Sequence, residues 1–373
     1  MVRFFHLADY HFGIEFDSHN PSLRQLLRQS MRQAFVDMVD RAISERIDAV
    51  LIAGDLLDDS SIDPRNEIFL VNQLKRLFEQ SIDIFLVEGN HDVTNQLPLP
   101  FAKVLSPQLE VIEKDNYRIV GQSFERQFDL RTIQDLPQFD DDKPTIGLFH
   151  SLIVNQFEDD NRSSYLVSTV QSLEASGYDY IALGHVHERS HFGKNKQINY
   201  PGSFFPSSRT ELGNRGYLDV KLADSLKIQF IPASRLTFGR LEVELESGDN
   251  FRLRTYEQLK QLIKPDQIVQ MKLTGFLQPQ ELQDLPEILN LVQEEADQMV
   301  EFSDHTQMAP LGDVTQNPFF QELLTNFDDK LFQQIEQTGL HQLSPQEYRM
   351  WYARNKDKVK RMLLESFYMR GRS

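Results

Sequence analysis

Five apolar segments in the first half of the chain each run straight into a short cluster of Asp, His or Asn. "VRFFHLA" leads to Asp9 and His11, "AVLIAGD" to Asp55 and Asp58, and "IDIFLVEGNHD" to Asn90, His91 and Asp92. "TIGLFH" ends on His150, and "YIALGHVH" on His185 and His187. Each segment is short for a helix and too uniformly apolar for a half-exposed strand, so each reads as a strand buried on both faces. Between them lie helical stripes: Leu23, Leu27, Met31, Phe35, Met38 and Ala42 recur at helical spacing, and Pro64 opens a second stripe through Ile68, Val71, Leu74 and Leu77. The alternation predicts a layered α/β domain with a central sheet covered on both faces. Open α/β sheets form their binding crevice at the carboxyl ends of the strands. A common sheet would therefore gather these polar clusters in one place.

The gathered groups are carboxylates, imidazoles and an amide, and the chain has no cysteine. That donor set suits Mn²⁺, Fe²⁺ or Zn²⁺ better than Ca²⁺ or Mg²⁺, which prefer oxygen alone. Outside the His91 position, ligand-type side chains from all five clusters remain. They are too many for one tetrahedral ion and fit two ions sharing a carboxylate. Such a pair stabilises both the attacking and the leaving oxygen of an in-line phosphoryl displacement and activates water at neutral pH. His6, inside the first strand, reads as a hydrogen-bonded core residue, and Asp92 as a group that fixes its loop. His191, in "ERSHFGKNKQ", reads as a surface residue on an exposed hairpin.

In this order, D-x-H, G-D-x-x-D, G-N-H-D, a strand-end His and G-H-x-H resemble the signature of calcineurin-like metallophosphoesterases. The stretch that follows, "NYPGSFFPSSRTELGNRGY", is similar to the Y-P-G-S…E…G segment of SbcD-type DNA double-strand-break repair exonucleases, including the shorter YhaO-like forms. The resemblance implies an α+β, four-layer β-sandwich flanked by helices, with a small α+β capping domain and a helical C-terminal tail. It implies one ion held by Asp9, His11, Asp55 and His187, and a second by Asp55, Asn90, His150 and His185, with Asp55 bridging and both ions Mn²⁺. His91 would face the scissile phosphate, oriented by Asp58 one helical turn beyond Asp55. The implied activities are 3′→5′ exonuclease and single-strand endonuclease action on DNA ends. The implied partners are an SMC-type ATPase of the SbcC or YhaN kind, docked through the C-terminal helices, and a second copy of the chain.

The pattern divides the chain into a nuclease-type domain over 1–237, a cap over 238–302, a turn-rich linker over 303–317 and a helical tail over 318–373. In the cap, a strand at "FGRLEVELE", a helix near 255–263, a strand at "DQIVQMKLTG" and a helix over 279–299 alternate. Residues 348–373 carry eight Lys and Arg against two Asp and Glu, a basic amphipathic segment suited to packing on its own domain or on a partner. The net charge is −17, so a general attraction to nucleic acid is excluded. DNA contact has to come from bound cations, a partner, or local arginines such as Arg162, Arg189, Arg209 and Arg215, which flank the expected site. No apolar run reaches membrane-spanning length, and the N-terminus enters a strand at once, leaving no room for a signal peptide. A cytoplasmic, nucleoid-associated protein without membrane contact is expected. Two rival readings stand beside the nuclease: a small-molecule or protein phosphoesterase, and a scaffold of the same fold without activity.

Overall fold

The structure is a computed structural model that describes residues 1–16, 21–58, 63–94, 98–156, 165–234, 236–296 and 299–309, with 350, 351, 354 and 358. The chain divides into two units, Met1–Gly239 with Asp266–Ile268, and Arg240–Pro265 with Val269–Ser373.

The apolar strands of the first unit do not share one sheet. Val2–Leu7, Ala49–Ala53, Asp83–Val87 and the short Lys103–Val104 run parallel as neighbours in a six-stranded sheet. Gly216–Leu222 adds antiparallel beside Val2–Leu7, and Leu226–Pro232 closes that edge. A second six-stranded sheet is built around Arg118–Gln122, Thr145–His150, Tyr180–Gly184 and Ile198–Tyr200, all parallel, with antiparallel edges at Glu110–Glu113 and Ser190–Phe192. The expectation of a single gathering sheet is therefore corrected: three polar clusters follow strands of the first sheet and two follow strands of the second.

Side-chain alternation in Val2–Leu7 explains how the sheets join. Val2 and Phe4 point into an apolar layer shared with Ile146, Leu148 and Tyr180 of the second sheet, while Phe5 and Leu7 point the other way into the layer under the helices. The Phe4 and Tyr180 rings meet edge to face at 5.3 Å. The inner face also carries His6, whose ring nitrogens reach the Tyr180 hydroxyl at 2.9 Å and the Leu183 carbonyl at 3.2 Å. A buried histidine with both nitrogens occupied needs no ligand role. Outside the first sheet lie two helices, Pro21–Glu45 and Pro64–Glu79; the second starts on an Asp63 cap that accepts from the Arg65 N–H at 2.8 Å. Strands covered on both faces read as unbroken apolar runs, as these do.

The second unit pairs a three-stranded sheet, Thr237–Glu244, Gln267–Thr274 and Val300–Asp304, with the helices Phe251–Gln261 and Pro279–Glu295. Leu259, Met271, Leu285 and Ile288 fill its core. Both helices begin or end a few residues away from the expected positions. Gln307–Met308, inside the expected linker, pairs instead with Phe276–Leu277. A two-residue strand carries no period to read. Apart from the four residues named above, the expected tail lies outside the described residues, as does Arg162.

Candidate metal centre

The parallel order fixes where the polar clusters go. All five follow the carboxyl ends of strands whose ends come together at one edge of the sandwich, and their side chains meet there. Among the described residues, Asp9 with His11 and His187, Asp9 with Asp55 and His150, and His11 with Asp58 and His91 each bring ligand atoms within 4.8 Å of one another. Asp55 Oδ2 lies 3.3 Å from His150 Nε2 and 3.8 Å from His11 Nε2, between the two groups. His150 Nε2 is also 3.2 Å from Asn90 Oδ1, and the His150 and His185 rings meet edge to face at 5.2 Å. The chain thus brings all seven predicted ligand positions into one pocket, with His91 and Asp58 beside them.

Backbone geometry at the site is unusual. Asp9, His11, Asp55 and His185 all adopt positive φ, at 51°, 47°, 50° and 98°. Non-glycine residues rarely do so, and each costs of order 1–3 kcal/mol that the surrounding structure must supply. Hydrogen bonds among the loops of the first sheet, and one from the second sheet, supply it. Asp9 N–H donates to the Gly54 carbonyl, His11 N–H to the Asp55 carbonyl, and His185 N–H to Asp9 Oδ1, all at 3.0–3.1 Å. His91 N–H donates to Asp55 Oδ1 at 3.0 Å. Asp92, buried, accepts from the Leu57 and Gly89 N–H groups, both at 2.9 Å, and pins the two ligand loops together. Gly89 permits this approach, because a Cβ there would lie 2.2 Å from Asp55 Oδ1.

Asp55 is followed by no helical turn. Phe12 and Leu57 form a bridge, and Asp58 N–H reaches the Phe12 carbonyl at 3.4 Å. The expected placement of Asp58 is thus corrected: it arrives through this bridged loop, with its carboxylate 3.8 Å from His11 Nδ1 and within 4.8 Å of His91. Sequence spacing cannot tell a helical turn from a bridged loop of equal length.

Burial governs the charges. It pushes the His11 imidazole down to about 4 and the His185 imidazole down to about 3. Burial also opposes charge on His150, but the Asp55 carboxylate outweighs it and raises that imidazole to about 9. Asp9 is pushed up to about 7 by burial, whereas on Asp55 the surrounding histidines overcome burial and hold the carboxyl well below the usual range. His11 and His187 turn Nε2 toward Nε2 at 3.2 Å. Ring nitrogens aimed at one another can share at most one proton or point at a common cation. Imidazoles, carboxylates and an amide oxygen, with no sulfur, form a donor set that fits divalent transition-metal ions.

Two residues escaped sequence reading. Glu211 touches the His187 ring, and Tyr165 lies over the His185 ring at 4.3 Å. The Glu was visible only as one letter of the Y-P-G-S…E…G segment, and Tyr165 carried no signal. The expected arginines fall differently. Arg189 is exposed and stacks on Phe230 at 4.2 Å, and Arg209 is half-buried. Arg215 is 7% exposed and turns inward to the His187 and Leu212 carbonyls and Glu188. In that position it holds this loop. His191 is exposed on the Ser190–Phe192 edge strand.

A two-sheet sandwich with an Asp/His/Asn centre at its strand ends defines a metal-dependent phosphoesterase. A family profile described as calcineurin-like phosphoesterase matches residues 2–189, and the chain belongs to that family. It is 26% identical over 267 residues to the metallophosphoesterase YhaO of Bacillus subtilis, a match covering 67% of this chain and 64% of that one. It is 24% identical to the SbcD component of the SbcCD nuclease of Escherichia coli, covering 62% of this chain and 67% of that one. To the DNA double-strand break repair protein Mre11 of Archaeoglobus fulgidus it is 28% identical, covering 54% of this chain and 50% of that one. The matches thus span about half to two thirds of these relatives' length. No helix among the described residues is long and apolar enough to cross a membrane.

Proposed function

We propose that the chain is a Mn²⁺-dependent nuclease subunit that hydrolyses DNA phosphodiesters at strand ends and in single strands, working as a dimer with an SMC-type ATPase. The observation that carries the reading is the position of Asp55 Oδ2 between His11 and His150, which suits a carboxylate shared by two cations. Asp9, His11, Asp55 and His187 would hold one ion, and Asp55, Asn90, His150 and His185 the other. Two such ions would supply Lewis-acid charge for the phosphate and a water of lowered pKa. His91 does the remaining work. Its backbone is tied to Asp55, its side chain is 31% exposed, and it stands edge to face with His11 at 4.8 Å, placed to meet a phosphate oxygen from the solvent side. From there it can stabilise charge on the phosphoryl group or protonate the leaving oxygen. Asp58, within 4.8 Å of the His91 ring, orients it.

A second reading, a phosphoesterase for compact substrates, is favoured by the net charge of −17 and the inward-facing Arg215. Purified protein with Mn²⁺, given linear duplex, single-stranded DNA and bis(p-nitrophenyl) phosphate, separates the two. Cleavage of DNA supports the nuclease; cleavage of the small diester with DNA left intact refutes it. Removal of 318–373 is expected to abolish association with the ATPase while sparing hydrolysis of the small diester, and persistent association would refute the docking role.

A further inference from the structure

His187 is held from behind by the segment that follows it. Its ring Nδ1 lies 2.5 Å from Glu211 Oε1, and its carbonyl accepts from Ser203 N–H at 3.2 Å and from the Arg215 guanidinium. Glu211 is only 7% exposed, and Ser207 bonds both of its carboxylate oxygens. Oε2 accepts from Ser207 N–H at 2.8 Å and Oε1 from the Ser207 hydroxyl at 3.0 Å. These residues lie beyond residue 189, where the family match ends.

We propose that Glu211 is a positioning residue of the metal centre: it fixes His187 as the Nδ1–H tautomer and so aims the Nε2 lone pair at the Asp9–His11–His187 cluster. The inference rests on the two-ion reading given above. A carboxylate has only acceptors, so in this contact His187 Nδ1 must be the donor, and in the neutral ring Nε2 carries the lone pair. Nε2 is the atom that faces His11 Nε2. A carboxylate behind a ligand imidazole sets its orientation and raises its basicity, and losing it costs about 10–100-fold in metal affinity. Ser207, bonding the same carboxylate through both backbone and hydroxyl, keeps Glu211 from turning to solvent.

Glu211→Gln tests this sharply because it preserves shape and turns one acceptor into a donor. The amide nitrogen cannot accept from Ser207 N–H, so the amide oxygen must take that side. The NH₂ then faces His187 Nδ1 and donates to it, which forces the ring proton onto Nε2. Imidazole ¹⁵N spectra of the metal-free protein at alkaline pH are expected to show Nδ1–H for His187 in the wild type and Nε2–H in the variant. Mn²⁺ titration calorimetry is expected to show one of two binding events weakened about 10–100-fold and the other unchanged. Ser207→Ala, which keeps the backbone bond, should weaken the same event by a smaller factor and serves if the Gln variant does not fold. A wild-type His187 protonated at Nε2 overturns the proposal. So does unchanged Mn²⁺ binding in the variants when the wild type takes up two ions. A wild type that binds fewer than two ions refutes the two-ion reading instead, and the spectra then decide whether Glu211 sets the tautomer.

Discussion

Replacing Gly184 with Ala puts a methyl group where the two sheets lie close together. The added Cβ would lie 1.8 Å from the Ala53 carbonyl oxygen and 2.9 Å from His150 Nδ1. Carbon and carbonyl oxygen normally approach no closer than about 3.3 Å, so something must move by roughly 1.5 Å. The obstacle is backbone at the centre of the first sheet, and the carbonyl in question also accepts from His150 Nδ1 at 2.8 Å. Overpacking costs about 1–3 kcal/mol, and stranding the His150 and Ala53 partners costs about 1–3 kcal/mol more. At about 2–4 °C per kcal/mol for a unit of this size, the midpoint should fall by at least about 4 °C. Gly177→Ala is the control: φ is +73° with nothing within 4 Å, so only backbone strain of about 1–2 kcal/mol applies. Thermal unfolding of the metal-free variants followed by circular dichroism reads both. If Gly184→Ala melts no lower than Gly177→Ala, the close approach of the sheets at the site is wrong.

His91→Ala is expected to keep Mn²⁺ stoichiometry by calorimetry and to lose about 10²–10⁴-fold in phosphodiester cleavage; full activity would remove His91 from the chemistry. Burial lowers the His6 imidazole from its ordinary value of 6.5 to about 3, so the unfolded chain takes a proton that the folded one refuses. Its contribution is complete above about pH 6.5 and is lost as pH falls toward 3, with a slope of up to about 1.4 kcal/mol per pH unit. Urea titrations of His6→Gln should show a shallower acid-side decline than wild type, and an equal slope would place the proton elsewhere. Stripping divalent ions with EDTA should lower the melting midpoint, and Mn²⁺ at about a hundred times its Kd should restore about 2.7 kcal/mol. A midpoint indifferent to Mn²⁺ would count against a folded-state ion site.

Most of the centre was legible because its residues sit at the ends of apolar runs, and buried strands announce themselves by composition. What the runs do not encode is sheet membership. Val2–Leu7 and Tyr180–Gly184 are equally apolar, yet they lie in different sheets, because burial on both faces looks the same against a helix or against another strand. Left-handed backbone at Asp9, His11 and Asp55 was equally hidden, since none of these positions is glycine. Glu211 was missed because a residue that acts through another has no spacing of its own. Arg215 shows a related limit: its charge is plain in the sequence, but its direction depends on carbonyls contributed by distant residues.

Because the ligand loops belong to separate sheets, an ion seated among them would act as a clasp across the mouth of the sandwich. Asp9, Asp55 and Asn90 stand on one leaf, His150 and His185 on the other. Whatever pries the leaves apart, whether heat, a mutation deep in the layer between Phe4 and Tyr180, or strain passed along the chain, would be felt first as slackened hold on the cations.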